Sequence, residues 1–249
     1  MLSAQRKDHL LGILHQDGRI VAKQVAVDLG VSEDSIRRDL RELADAGALV
    51  RVYGGALPLP LADRPVDQRA DLATESKQRV AQLAVTQITP GATIVLDAGT
   101  TTLAMTRMLP HGADLTVITP SPAVALAVAE HSEARIVMIG GELSRFSMVA
   151  GGPLAIEAVQ QLAADLFFLG VTGIDPVHGL TTGDLGDAAT KRAIAGRCTQ
   201  TLVLGSEEKI GATSRYPVLD LERVAGIIVD PLVTDPVLDE LATRVPVLL

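Results

Sequence analysis

The sequence predicts an α/β chain in two parts: a small helical unit ending in a β wing, then a larger domain built on a mainly parallel sheet. Three observations carry this. The first 56 residues hold three short amphipathic helix patterns followed by an alternating apolar run and Gly54-Gly55; the stretch LPLPLADRPVD places Pro58, Pro60 and Pro65 within eight positions; and beyond it helix-period segments alternate with seven β-rich runs. A proline cluster excludes regular structure, and strand-helix alternation implies parallel strands covered by helices. The expected organisation is residues 1–56 as one unit, 57–73 as linker and 74–249 as the second domain.

In the first unit Leu10, Ile13 and Leu14 follow Ser3, an expected N-cap, and the pattern stops at Asp17-Gly18. Ala22, Val25, Ala26 and Leu29 repeat the i, i+3, i+4, i+7 spacing and end at Gly30, a residue suited to a left-handed stop. Ser32 then caps a third helix with Glu33 and Asp34 in its positive first turn, and Ile36, Leu40 and Leu43 form its apolar stripe. Two helices joined by Gly30-Val31 make a helix-turn-helix. On the third, Arg37 and Arg41 lie one turn apart, with Ser35 and Arg38 also off the stripe, as a helix reading a major groove requires. Leu49 to Tyr53 alternates before the two glycines, so a small wing follows, and Arg51 on it reaches for a phosphate. The candidate DNA contacts are Lys23, Ser32, Ser35, Arg37, Arg38, Arg41 and Arg51. The competing readings of this unit are a solvated helix with i, i+4 charge pairs, and a winged module that binds protein.

In the second domain the β-rich runs are 93–96, 115–119, 135–139, 166–169, 201–204, 226–229 and 245–248. Ligands of such sheets sit outside the carboxyl ends of the strands. Those ends read Asp97-Ala98-Gly99-Thr100-Thr101-Thr102, Pro120-Ser121, Gly140-Gly141-Glu142, Gly170-Val171-Thr172-Gly173 and Gly205-Ser206-Glu207-Glu208-Lys209. Gly99 lets the backbone approach an anion, the threonines supply hydroxyls and a helix begins at once, so a phosphate fits. The G-x-x-x-x-G-K-[ST] and G-x-G-x-x-G patterns are absent, which favours a small phosphorylated ligand over ATP or NAD. Lys209, after a strand end, is well placed for an anion, whereas Lys191 and Arg192, on a helix begun near Asp187, read by themselves as a surface salt-bridging pair. His178 reads as a loop residue and Cys198 as a small packed side chain.

Composition sets the outer limits. With 249 residues, 47% hydrophobic, 21% charged and mean hydropathy +0.30, disorder is excluded as the main state. Aromatics are only 2%, which argues against base-stacking RNA platforms and sugar binding on exposed rings. The single cysteine and five scattered histidines leave neither a disulfide nor metal-ligand spacing, so no metal and no cofactor is expected, and a reducing, cytoplasmic setting is favoured. No signal peptide is expected, and the longest uncharged run, 115–129, contains Pro120 and Pro122 and is too short for a bilayer, so no membrane partner is expected. Residues 1–56 hold eight basic and eight acidic residues, so the net charge of −8 sits entirely in the remainder. DNA binding therefore rests on how the arginines are placed, not on bulk charge.

The order of motifs resembles the DeoR family of bacterial transcriptional repressors along nearly the whole chain. VSEDSIRRDLRELADAGALVRVYGGA looks like that family's helix-turn-helix and wing. DAGTTT (97–102), TPS (119–121), GGELSR (140–145), GG (151–152), GLTTGD (179–184), DAATKRA (187–193) and SEEK (206–209) follow in the family's order. The resemblance implies a sensor domain related in fold to ribose-5-phosphate isomerases and CoA transferases, binding a sugar-phosphate effector without turning it over. It implies as effector contacts Asp97, Gly99, Thr100, Thr101, Thr102, Ser121, Gly140, Gly141, Arg145, Gly151, Asp187, Lys191 and Lys209. The implied partners are double-stranded operator DNA, a phosphorylated sugar and further copies of the chain, as a dimer or tetramer. The family pattern is broken at Pro120 (usually Asn), Gly205 (usually Asp), Asp187 (usually Glu) and Tyr53 (usually His). The first two changes remove hydrogen-bond partners for sugar hydroxyls. The rival reading is a sugar-phosphate isomerase with Asp97 and Asp187 as acid and base and Lys209 holding the phosphate; an enzyme has no need of the first 56 residues.

Overall fold

The computed structural model describes residues 3–17, 19–45, 48–58 and 72–249, and the chain divides into two compact units, Met1–Arg64 and Pro65–Leu249.

The first unit runs α1 (Ser3–Asp17), β1 (Ile20–Val21), α2 (Ala22–Asp28), α3 (Glu33–Asp45), β2 (Leu49–Val52) and β3 (Gly55–Pro58). Leu10 and Leu14 of α1, Val25 and Ala26 of α2, and Ile36, Leu40 and Leu43 of α3 meet in one core, the contact that the helical spacing dictates. Gly30 takes φ +63° between α2 and α3, and the Ser32 hydroxyl accepts the Ser35 amide at 3.2 Å, so stop and cap are where the residues put them. Ser3 is not a cap: it is the first residue of α1, and its hydroxyl donates to Asp39 on α3. β3 lies between β1 and β2 in an antiparallel sheet. A Cβ at Gly55 would fall 1.8 Å from the Ile20 carbonyl, so the close approach of β1, a strand that periodicity does not reveal, admits only glycine there. β3 continues to Pro58, two residues past the expected edge at 56, because Leu57 and Pro58 pair with Val50 and Leu49. The rest of the proline-rich linker, 59–71, lies outside the described residues.

The second unit begins with α4 (Thr74–Val85) and continues β4 (Thr93–Leu96), α5 (Thr100–Thr106), β5 (Thr116–Thr119), α6 (Pro122–His131), β6 (Arg135–Met138), β7 (Glu142–Leu143), β8 (Ala150–Gly151) and α7 (Gly152–Gln160). Then follow β9 (Ala164–Leu169), β10 (Gly173–Asp175), β11 (Gly179–Thr182), α8 (Leu185–Ala195), β12 (Cys198–Gly205), β13 (Tyr216–Leu219), β14 (Gly226–Val229), α9 (Val237–Ala242) and β15 (Val247–Leu248). The seven expected runs form one parallel sheet in the order β15-β14-β12-β9-β4-β5-β6.

Alternation along the strands divides the core in two. Ile94, Leu96, Leu166, Phe168, Leu202, Leu204 and Ile228 face α4, α5 and α6, while Val95, Phe167, Leu169, Val203, Ile227 and Val229 face α7, α8 and α9. Both faces are buried, so each strand is apolar throughout, as parallel sheets require. From β4 the chain builds outward through β5 and β6; from β9 it builds the other way through β12, β14 and β15. The β4–β9 seam is thus the point where strand order reverses, and the crevice at its carboxyl end is the expected ligand position. Two small antiparallel sheets, β7-β8 and β10-β11-β13, complete the unit.

Candidate functional site

The first unit presents a face for DNA. Asp39 is buried on the inner side of α3, where it accepts from Arg6 Nε at 2.5 Å and Arg6 Nη2 at 3.1 Å; Asp39, through those hydrogen bonds, holds the guanidinium above its ordinary value against the opposing effect of burial. That ion pair ties α1 to the back of α3, so Arg37, Arg38 and Arg41 are left exposed on the other side, with Lys23 on α2 exposed as well. Arg37 is held by Glu33 at 3.0 and 2.6 Å, and the Ser32 and Ser35 hydroxyls are 2.8 Å apart. Between α3 and the wing lies a concavity lined by Arg37, Arg51 and the glycine turn, with Tyr53 standing fully exposed at the wing tip. The candidate contacts therefore share one surface of this unit, and Tyr53 joins them.

In the second unit a cavity opens over the β4–β9 seam. Gly99, Thr100, Thr101, Thr102, Asp187, Lys191 and Lys209 line it, with Phe146, Ser147, Val149, Gly170, Val171, Thr172 and Thr182. Asp97 lies beneath, with none of its surface exposed. Its Oδ1 accepts the Ala98 amide at 2.8 Å, and its Oδ2 accepts the Gly170 amide at 2.9 Å and Lys191 Nζ at 2.6 Å. This carboxylate stitches the end of β4 to that of β9. A Cβ at Gly170 would lie 2.8 Å from the Ala98 carbonyl, so the seam closes only around glycine. Lys191 also meets Asp187 Oδ1 at 2.8 Å, and Asp187 Oδ2 accepts the Thr182 hydroxyl at 2.8 Å. Lys191, which reads from its neighbours as half of a surface pair, is only 4% exposed, because the helix face that carries it turns onto the sheet end. Burial pushes the Asp97 carboxyl up, with the Asp187 charge adding and Lys191 pulling down; burial lowers Lys191, but its two carboxylates outweigh that and hold it raised.

Lys209 crosses from the end of β12 to donate to the Leu204 carbonyl at 2.9 Å and to the Thr101 hydroxyl at 3.3 Å. The Thr102 and Ser147 hydroxyls are buried and have no hydrogen-bond partner among the described residues. Since a buried hydroxyl without a partner is costly, this wall is built for something polar. The enclosed space is about 30 Å³, room for one or two waters, so a larger guest must move a wall. The wall least tied to the sheet is the β7–β8 connection carrying Phe146, Ser147 and Val149, where Met148 takes φ +53°.

The other expected effector contacts do not line this cavity. The Ser121 hydroxyl caps α6 by accepting the Val124 amide at 3.4 Å. Gly140 and Gly141 lead into β7, where a Cβ on Gly141 would meet the Gly151 carbonyl at 2.4 Å, and Gly151 pairs with Glu142 in β8. Arg145 is exposed. Phe146, Ser147 and Val149 directly follow the GGELSR motif, which is the signal that locates them. Among the described residues no group of three metal-ligating side chains forms and no helix is long and apolar enough to cross a membrane.

Comparison with known proteins agrees with both halves. The DeoR-like helix-turn-helix domain matches residues 6–59 and the DeoR C terminal sensor domain matches residues 72–231. A putative aga operon transcriptional repressor of Escherichia coli O157:H7 is 32% identical over 92% of this chain and 86% of its own length. The glycerol-3-phosphate regulon repressor of Escherichia coli K12 is 29% identical over 92% of each chain. A solved ribose 5-phosphate isomerase from Methanocaldococcus jannaschii superposes with a TM-score of 0.39 at 19% identity, over 53% of this chain and 52% of that one, too distant to transfer chemistry. A reading helix and wing followed by a sheet-end sensor cavity, matched in order across 92% of the chain, make this a DNA-binding transcriptional regulator that belongs to the DeoR family.

Proposed function

We propose that this regulator is a repressor that grips operator DNA, as a homo-oligomer, through α3 and the wing and releases it when a phosphorylated sugar or polyol enters the cavity at the β4–β9 seam. The observation that carries the reading is the unpartnered, buried Thr102 hydroxyl in a wall that also holds Lys209 and the first-turn amides of α5. A phosphate dianion satisfies all three at once: it accepts from the amides of residues 100–102, from Thr102 Oγ1 and from the Lys209 ammonium. Asp187, Lys191 and Ser147 then face the ligand's hydroxyls. The name of one relative, a glycerol-3-phosphate regulon repressor, supports a small phosphorylated polyol as the class of effector.

Sensing without turnover also follows. An isomerase needs a carboxylate free to take a carbon-bound proton, with geometry in reach of the substrate. Asp97 is wholly buried beneath the cavity, and both of its oxygens are engaged by amides and Lys191, so it serves as a strut and not as a base. Effector and operator are coupled negatively, which requires the effector to bind the DNA-competent arrangement less well, and a typical coupling of about 1–3 kcal/mol weakens each ligand roughly 5- to 150-fold in the presence of the other.

The test is a thermal-shift panel of triose, pentose and hexose phosphates followed by titration of the best stabiliser into a complex with fluorescent duplex from the DNA upstream of the regulator's own gene, at fixed salt. DNA is expected to dissociate. Thr101→Glu, which places a carboxylate where the phosphate sits, is expected to abolish the thermal shift. Tighter DNA binding would make the ligand a co-repressor, and isomerisation of any panel member, lost in Asp97→Ala, would restore the enzyme reading.

A further inference from the structure

Lys209 ends a single 3-10 turn, Glu207–Lys209, and the other two residues of that turn are held by α4, the first helix after the segment leading from the DNA-binding unit. The Ser76 hydroxyl accepts the Glu207 amide at 3.0 Å. Lys77 Nζ stands 3.8 Å from Glu208 Oε1, with both side chains less than 10% exposed (4% and 8%). Lys77 also donates to the carbonyl of Leu72, just before the helix begins. Glu208 is only half satisfied: Oε1 accepts the Ser206 hydroxyl at 2.9 Å, and Oε2 is buried with no hydrogen-bond partner among the described residues. The Lys77 ammonium thus has two acceptors, one on the cavity's turn and one on the chain that leads out, and its pairing with the first is open. Ala73, between Leu72 and α4, takes φ +49°, a left-handed backbone that strains a residue other than glycine. Farther along, Arg79 grips Asp230 at 2.7 and 2.9 Å, so the second turn of α4 is fixed while its start is not.

We propose that Glu208 and Lys77 are positioning residues that convert occupancy of the Lys209 site into a change of the chain at residues 72–73, and so into release of DNA; this rests on the effector reading above. An anion draws Lys209 away from Thr101 and Leu204, the three-residue turn follows, Glu208 closes on Lys77, and the Leu72 carbonyl is given up. The strained Ala73 backbone then relaxes, and the chain entering from the DNA-binding unit changes direction. No residue of the cavity wall other than Lys209 need move for this signal to leave the sheet.

The experiment uses the full chain and two variants, Glu208→Gln and Lys77→Met, with the panel sugar phosphate that most stabilises wild type as probe. Calorimetry gives the probe Kd, and fluorescence gives the operator Kd with and without saturating probe. Both variants are expected to keep the probe Kd within about threefold, while the weakening of DNA binding falls from roughly 5- to 150-fold to less than about twofold. Ala73→Gly, which touches no side chain of the cavity and accepts the left-handed backbone, is expected to reduce the same factor and serves if the charge variants do not fold. Coupling that persists in the variants overturns the proposal, as does a loss of probe affinity that parallels the loss of coupling. A wild type that binds no member of the panel is a different result: it removes the effector reading itself and this proposal with it.

Discussion

Replacing Lys191 by Met keeps the length of the side chain and removes the one cation shared by two buried carboxylates. In the wild type its ammonium meets Asp97 at 2.6 Å and Asp187 at 2.8 Å, with Asp97 wholly buried and Asp187 only 4% exposed. Removing one partner of a buried ion pair costs about 3–5 kcal/mol, because the charge left behind stays desolvated. At roughly 2–4 °C per kcal/mol for a domain of this size, the sensor unit should melt about 6–20 °C lower near neutral pH. The loss should also depend on pH with a definite sign. Burial already raises the Asp97 carboxyl, and losing the Lys191 charge raises it further, so the folded variant holds that proton more tightly than the unfolded chain does. Its stability therefore declines as pH rises from the unfolded carboxylate value of about 3.9 through the raised folded value. Lys191 itself is raised, so what it contributes to the wild type is intact below about 10.4 and lost only above it. The gap between variant and wild type is thus smallest near pH 4 and widest at neutrality. Urea unfolding of the sensor unit at pH 4.5 and pH 7.5, followed by circular dichroism, measures it. A gap below about 1 kcal/mol at pH 7.5, or one equal at both values, would refute the reasoning.

Further outcomes follow from the same geometry. Arg37→Ala and Arg38→Ala should each weaken operator binding by about 1–3 kcal/mol if the residue reads a base, in gel shifts at constant salt; sequence-independent binding by wild type would remove that role. Thr102→Val deletes a hydroxyl that has no partner in the ligand-free cavity, so stability should change by less than about 1 kcal/mol while calorimetry shows about tenfold weaker effector binding. Burial pushes the Cys198 thiol up to about 12, with Asp165 adding, so it should resist a thiol reagent at pH 8 in the folded chain and react at once in denaturant. Phe168→Ala, in the middle of β9, should cost about 3–5 kcal/mol in urea unfolding.

All seven parallel strands are legible because runs such as TIVL, TVIT and GIIV are buried on both faces and so carry no polar interruption. The small sheets are not. β7 and β8 have two residues each, and β10, β11 and β13 are set by backbone proximity, as at Gly173, whose Cβ would lie 2.4 Å from the Ala212 carbonyl, rather than by an apolar pattern. The cavity is half legible for a related reason. Strand ends must converge at the reversal of strand order, so Asp97 to Thr102 and Lys209 can be placed from topology. Phe146 and Ser147 reach the cavity only because the chain doubles back from β7 to β8, and no periodicity reports a turn of that kind. Ser121 shows the converse: its position at a strand end is right for a ligand, but its hydroxyl is committed to capping α6. Lys191 is misread as a surface group because the carboxylate that buries it, Asp97, is 94 residues away.

The order of strands also bears on how the chain is made. β4 pairs with β5 on one side and with β9 on the other, yet β9 is synthesised about 70 residues after β4. At roughly 5–20 residues per second the ribosome leaves one edge of β4 without its neighbour for about 3–14 s, while β5 and β6 are already present on the other. An unpaired edge flanked by TIVL and TVIT is a template for another nascent chain. Pro120 and Pro122, set directly behind β5, limit how far such mispairing can extend. The DNA-binding unit is complete within the first sixty residues and waits on nothing, so the yield of correctly folded regulator is set at the centre of the sensor sheet, by how soon β9 arrives.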